Sequence, residues 1–193
     1  MKLKFENITI SGGVAVGKNT LRDNLMPYLK PYGWRFKSSG QIVRDYLNEY
    51  LTPHASWAPE KLHKEIDNKV QSILKTEKLW VIEAWLAGWL ARQFSNCLRV
   101  LLICSNKALQ VDRVANRDKV TIEQAKQFVK EREEDNLRTF NKIYDAVDIF
   151  SPKNYHLVID TYSTGPLETV GKVLDALGYD HKKIEINKVL PKK

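Results

Sequence analysis

One stretch near the start of the chain, Ile8-Thr9-Ile10-Ser11-Gly12-Gly13-Val14-Ala15-Val16-Gly17-Lys18-Asn19-Thr20, constrains the fold more than any other. An apolar run that reads as a strand meets Gly-x-x-x-x-Gly-Lys, and a helical pattern begins at the lysine. Glycines let the main chain come close to a ligand and turn N–H groups toward it, while the lysine adds a mobile positive charge. The helix starts at the loop, so the positive end of its dipole faces the same point. Such a combination cradles a polyphosphate, and Gly12, Gly13, Val14, Ala15, Val16, Gly17, Lys18, Asn19 and Thr20 are its candidate residues. The bland alternative is a glycine-rich turn with a chance lysine. A strand before the loop and a helix after it favour the cradle. One departure stands out: the hydroxyl that normally follows the lysine and holds Mg²⁺ is replaced by Asn19 and comes one residue later, at Thr20.

Strand and helix patterns alternate along the rest of the chain. Strands are expected at Phe5–Ser11, Trp34–Lys37, Leu79–Ile82, Leu98–Cys104 and Tyr155–Ile159. Helices are expected from about Lys18 to Leu29, at Gln41–Leu51 and Pro59–Leu74, from Lys107 to about Arg117, and at Leu167–Leu177. Thr121-Ile122-Glu123-Gln124 has capping-box spacing and opens a helix to about Asn136, with a further helical piece at Arg138–Tyr144. Continuous apolar strands alternating with helices imply an α/β fold with a parallel sheet covered on both faces. Ligands of such sheets bind beyond the carboxyl ends of the strands. Polar residues at those places are therefore candidates: Gly12–Lys18, Ser38-Ser39, Glu83, Ser105 and Asp160-Thr161.

Several side chains fit a site that handles phosphates. Ser39-Gly40 opens a helix and Arg44 lies one turn in, which makes a second anion site; standing alone, the pair reads as an N-cap and a surface arginine. Glu83 ends a strand, where a carboxylate holds Mg²⁺ through water. Arg113 and Arg117 share a helix face, and Arg132 and Arg138 stand among acids farther on. Charge runs of this kind are commonly just solvated helix faces. Phosphoryl transfer nevertheless needs positive groups around the migrating phosphoryl, and the planar guanidinium grips phosphate at two points.

The 193 residues suffice for one domain, expected to span residues 1–193. A net charge of +8 suits nucleic acid or polyphosphate ligands, and the last residues are lysine-rich. The two cysteines, Cys97 and Cys104, have neither zinc nor redox spacing and read as buried thiols. Met1–Glu6 lacks a secretory apolar stretch, and the longest apolar run, Ala84 to Ala91, is too short to span a bilayer. A cytoplasmic protein is expected.

Taken together, Ile8–Thr20, Ser39-Gly40-x-x-x-Arg44, Glu65-Ile66-Asp67, Val81-Ile82-Glu83-x-x-Leu86-Ala87-Gly88-Trp89, Val111–Arg117, Glu131-Arg132 and Leu157–Thr161 resemble the nucleoside monophosphate kinases, most closely cytidylate kinases of the short archaeal type. The resemblance implies a P-loop kinase fold: three αβα layers with a five-stranded parallel sheet, a helical acceptor-binding insertion at about 39–78, an arginine-bearing lid at about 117–145 and a basic tail at 179–193. It implies ATP and Mg²⁺, with Thr20 and Glu83 on the metal and the Gly12–Thr20 loop on the ATP phosphates. Arg113 is expected against adenine, Arg117 on a phosphate, and Lys18, Arg132 and Arg138 on the transferring group. Ser39, Gly40, Arg44, Asp67 and Trp85 are expected around the acceptor, with Asp67 reading a base amino group. The family places an arginine where this chain has Trp85; Arg92 is the available substitute, and Trp85 itself could stack on a base or fill the core.

The expected function is phosphoryl transfer from ATP to CMP or dCMP, with small-molecule nucleotides as partners, no membrane, no requirement for nucleic acid, and a monomer. Two alternatives stay open. One is a non-catalytic or weakly hydrolytic nucleotide-binding protein acting on RNA or a protein partner. The other is a kinase for another nucleotide, a nucleoside or a small metabolite.

Overall fold

A computed structural model describes residues 3–39, 59–145 and 148–180. Five strands form one sheet: β1 (Asn7–Gly12), β2 (Arg35–Ser38), β3 (Trp80–Glu83), β4 (Cys97–Ile103) and β5 (Leu157–Asp160). Their order is β2-β3-β1-β4-β5, and every pairing is parallel. The helices are α1 (Lys18–Leu29), α2 (Glu60–Thr76), α3 (Ala87–Leu90), α4 (Lys107–Asp118), α5 (Ile122–Tyr144) and α6 (Pro166–Leu177).

Strand alternation explains the layers. Ile8 and Ile10 of β1, Val81 of β3, and Val100 and Leu102 of β4 point to one face, where Leu21, Leu25 and Leu29 of α1 and Val173, Leu174 and Leu177 of α6 cover them. Ile82 and Cys97 point the other way, against Val70, Ile73 and Leu74 of α2 and Ala87 of α3. All six residues of β1 are buried, as expected for the central strand of a sheet covered on both faces. Its polar members are satisfied: Ser11 Oγ accepts from the Gly88 amide at 2.7 Å, and the Asn7 side chain bridges the Glu77 carbonyl and the Trp80 amide. Both cysteines are free and buried, and burial pushes the Cys97 thiol up to about 12.

The expected elements are present with small shifts at their ends. The helix expected at Gln41–Leu51 lies outside the described residues, as do Gly40 and Arg44. Two differences have physical causes. The helix expected to stop near Asn136 and resume at Arg138 is one continuous helix, α5. No glycine or proline interrupts it, and Asn136 donates back to the Arg132 carbonyl at 2.8 Å rather than capping a new segment. The capping box does form, with Gln124 N donating to Thr121 Oγ1 and Thr121 N donating to Gln124 Oε1. Sequence reading also missed α3, a short helix whose Gly88 packs so closely on the sheet that a Cβ there would lie 2.3 Å from the Tyr155 ring. No helix among the described residues is long and apolar enough to cross a membrane.

Gly12 turns the chain out of β1. Its φ is +148°, and a Cβ there would lie 2.4 Å from the Leu102 carbonyl oxygen and 2.7 Å from Val16. Gly12→Ala is therefore expected to cost about 3 kcal/mol of stability through backbone strain and overpacking. In urea denaturation this should lower the unfolding midpoint with little change in slope.

Candidate active site

The loop from Gly13 to Gly17 leaves β1 and enters α1. It needs unusual backbone conformations, with Ala15 at φ +54° and Gly17 at φ +91°. Gly17 is also the N-cap of α1, with no side-chain hydrogen bond to the cap, so main-chain donors of the first turn are left for a ligand. Lys18 lies over the loop and donates from Nζ to the Gly13 carbonyl at 2.6 Å.

This loop forms one end of a cavity of about 830 Å³. The cavity lies beyond the carboxyl ends of the strands, as the sheet topology predicts. Gly13 through Thr20 line it, and Asn19 and Thr20 are its exposed members. Ser39, Glu83 and Trp85 follow strand ends. His63 and Asp67 enter from α2, Arg113 and Arg117 from α4, and Arg132, Asn136 and Phe140 from α5.

The predicted site residues have different fates. Gly12 is not among the residues that line the cavity; it is the buried last residue of β1, where its missing side chain makes room for the Leu102 carbonyl of β4. Arg113 lines the cavity, but its donors hold protein groups: Nη1 reaches Thr161 Oγ1 at 3.0 Å and the Ala15 carbonyl at 3.3 Å, and Nη2 the Thr161 carbonyl at 2.8 Å. Arg113 thus ties the phosphate loop to the end of β5. Arg117 forms a two-point pair with Asp118 at 2.7 Å, which holds the Asp118 carboxyl below the usual carboxylate range. Arg132 lies over the Phe128 ring and lines the cavity.

Arg138 is not brought to the site. Three residues from Asp135 on α5, it pairs with that carboxylate on the solvent side, and its side chain is 76% exposed. Arg92 does not replace the missing arginine either, because its guanidinium stacks on Trp89 at 3.7 Å and is exposed outside the cavity lining. Trp85 occupies the wall instead. Its ring packs on Phe150 at 5.3 Å and lies 5.8 Å from Lys18 Nζ, and its indole N–H is buried without a partner among the described residues.

Glu83 is buried and accepts from Ser38 Oγ at 2.7 Å, with Arg22 at 3.9 Å. No cluster of three or more metal-ligating side chains exists among the described residues. That donor set fits Mg²⁺, which keeps its waters and binds through one or two protein oxygens plus substrate phosphates. Glu83 and the Thr20 hydroxyl are the groups that would hold it.

Sequence reasoning missed the supports of the loop and much of the far wall. Gln110 is 2% exposed and donates to the Val14 carbonyl, and Glu133 meets Gln110 and Lys107. His63 stands four residues before Asp67 on the same helix face, a spacing that was readable. Tyr144, in contrast, reaches Asp67 only through tertiary packing.

Asp67 is 7% exposed, and burial pushes its carboxyl up to about 6, opposed by the hydrogen bond from Tyr144. A raised acid favours the protonated form in the fold, so the native state binds more protons than the unfolded chain between about pH 4 and pH 6. Stability should then fall as pH rises through that window and stay lower above it. Asp67→Asn removes the penalty and should be more stable than the parent by up to about 3 kcal/mol near pH 8, with the difference vanishing near pH 4. Denaturation curves of both proteins across that range check this.

Comparisons with known proteins show the family and the fold. The profile of the cytidylate kinase-like family matches residues 35–163. A cytidylate kinase from Thermococcus sibiricus is 34% identical over 172 residues, covering 86% of this chain and 84% of that protein. Another from Saccharolobus islandicus is 30% identical over 159 residues, covering 80% and 81%. Among solved structures, a gluconokinase from Sinorhizobium meliloti aligns with a TM-score of 0.60 at 12% identity, over 92% of this chain and 94% of that one. A shikimate kinase from Acinetobacter baumannii aligns with a TM-score of 0.56 at 18% identity, over 96% of each chain. Those two likenesses are of fold alone. With the phosphate loop, the parallel sheet and the sequence matches in agreement, the chain belongs to the cytidylate kinase-like family.

Proposed function

We propose that this chain transfers the γ-phosphoryl group of ATP to CMP or dCMP. One observation carries the reading: a single cavity joins the phosphate loop at one end to the buried Asp67 at the other. Its volume of about 830 Å³ and its mixed lining of donors, carboxylates and arginines suit two nucleotides. The triphosphate lies in the loop against main-chain donors and Lys18. The acceptor base lies near Asp67 and Phe140, and its phosphate lies between, beside Trp85 and Ser39.

The acceptor phosphate is largely ionised at neutral pH and needs no general base. One of its oxygens attacks the γ-phosphorus in line, and the bond to the β–γ bridging oxygen breaks. Lys18 follows the migrating group, and Arg132 neutralises charge on its equatorial oxygens. Glu83 and Thr20 would hold Mg²⁺, which when bound would supply charge neutralisation to the phosphates of ATP. Helix α5 forms the lid side of the cavity and excludes water that would otherwise accept the phosphoryl group. Arg138 has no part in this step.

A coupled assay of ADP release over a panel of monophosphates tests the reading. CMP and dCMP should give the highest kcat/KM, and Lys18→Ala should lower turnover by about 10³-fold or more while leaving thermal unfolding within a few degrees of the parent. Turnover with AMP, GMP or UMP but none with CMP or dCMP removes the acceptor assignment. Binding of ATP with no monophosphate-dependent turnover favours the non-catalytic alternative.

A further inference from the structure

Asp67 and Tyr144 come from opposite walls of the acceptor end. Asp67 stands on α2 and Tyr144 is the last residue of α5, 77 positions later. The phenol donates to Asp67 Oδ2 at 2.6 Å, and among the described residues it is the one hydrogen-bond partner of that carboxyl. Two further contacts hold the same seam: His63 meets Phe140 edge to face at 5.5 Å, and Lys142 reaches Glu60 at 3.6 Å. Tyr144 is pinned from behind by Trp89 of α3, whose ring centroid lies 5.6 Å away. Its hydroxyl is therefore delivered to Asp67 by packing from three helices.

We infer that Tyr144 is a positioning residue for acceptor specificity: by donating its one proton to Asp67 it keeps that carboxyl a hydrogen-bond acceptor, so that the site selects an amino-bearing pyrimidine over its keto counterpart. This rests on the pyrimidine monophosphate reading above. A phenol has a single O–H, and an ionised carboxylate offers only acceptors. A protonated carboxyl gains an O–H and can donate to a ring carbonyl instead. The two forms of Asp67 thus read opposite groups at the same ring position, the amino group of cytosine or the oxygen of uracil. Mismatching a buried polar group leaves it unpaired, which is where discrimination comes from.

The surroundings make this choice sensitive. Burial favours the protonated form of Asp67 and the Tyr144 hydrogen bond opposes it. The other ionisable groups on the surrounding elements are His63 one turn earlier on α2, Glu83 at the end of β3 and Arg132 on α5, which line the same cavity, and the Lys142–Glu60 pair that joins α5 to α2. Arg92 on the α3 side donates to the Trp89 carbonyl. None of these is a hydrogen-bond partner of Asp67 among the described residues, so Tyr144 is the group that tips the balance.

The test is the ratio of kcat/KM for CMP over UMP, measured from about pH 5 to pH 8 in the parent, Tyr144→Phe and Asp67→Asn. Ionisation of the substrate phosphate is common to both substrates and cancels in the ratio. In the parent, the ratio should rise with pH through about 6. In Tyr144→Phe the midpoint should move up by about one pH unit and the ratio at neutral pH should drop about tenfold, with kcat on saturating CMP and KM for ATP close to the parent values. In Asp67→Asn the ratio should be flat across the range. A Tyr144→Phe protein that keeps both the parent ratio and its midpoint, or that weakens both substrates equally with the midpoint unmoved, overturns the inference. A pH-dependent ratio that survives in Asp67→Asn overturns it however Tyr144→Phe folds. A parent enzyme that uses neither pyrimidine monophosphate instead brings down the acceptor assignment itself, and with it this inference.

Discussion

A strained phosphate loop has to be held from outside, and the rest of the site depends on that support. Ala15 at φ +54° is costly for a residue with a side chain, and such a conformation persists only where its surroundings over-determine it. Besides the Gly13 carbonyl that Lys18 takes, two carbonyls of the loop are held from α4. Gln110 takes that of Val14 from behind, and Arg113 takes that of Ala15 while gripping Thr161. With those oxygens tied back, the loop's N–H groups can turn toward the cavity. Preorganised donors of this kind need no rearrangement when charge builds up on a transferring phosphoryl group. Helix α4, which carries both Gln110 and Arg113, is thus as much part of the phosphate site as the loop.

Much of this was readable in the sequence because it is local. The Gly-x-x-x-x-Gly-Lys spacing, the apolar strands and the Thr121–Gln124 box each depend on neighbours a few residues apart. The placement of the sheet's polar ends followed from topology. The failures were non-local. Arg138 looked equivalent to Arg132, but a six-residue offset on a continuous helix turns it away to Asp135 and solvent. A break assumed near Asn136 would have left that angle free. Arg113 was read as an adenine contact; it does line the cavity, and the fold adds what the sequence did not show, that its donors hold Ala15 and Thr161. Tyr144 carried no signal, since its role depends on a contact across 77 residues.

Trp85 poses the sharper chemical question. An arginine in its place would offer two hydrogen bonds and a full charge to an acceptor phosphate; an indole offers one N–H and an electron-rich face. That face lies 5.8 Å from Lys18 Nζ, so it helps hold the ammonium of the loop near the middle of the cavity. Its N–H is buried and unpartnered among the described residues, an arrangement that costs free energy unless a ligand or water accepts from it. On the proposed function, an indole here removes a positive charge from beside the acceptor phosphate, so more of the work falls on Arg132 and Lys18.

On the proposed function, polarity along the cavity decides which way round the two nucleotides lie. The loop end presents main-chain donors and a lysine, which attract the phosphate tail of a nucleotide. The far end presents the Asp67 carboxyl beside His63 and Phe140, a wall that repels a triphosphate tail and suits a flat ring bearing N–H groups. A nucleotide entering backwards meets a carboxyl with its phosphates and a cation with its base, and pays at both ends. Because α2 and the end of α5 are joined at Asp67–Tyr144, His63–Phe140 and Glu60–Lys142, the wall that reads the base and the wall that supplies Arg132 form one connected surface. On the proposed function, a base seated against Asp67 on α2 bears through these contacts on α5, the helix that carries Arg132, so that selection of the acceptor is coupled to stabilisation of the migrating phosphoryl.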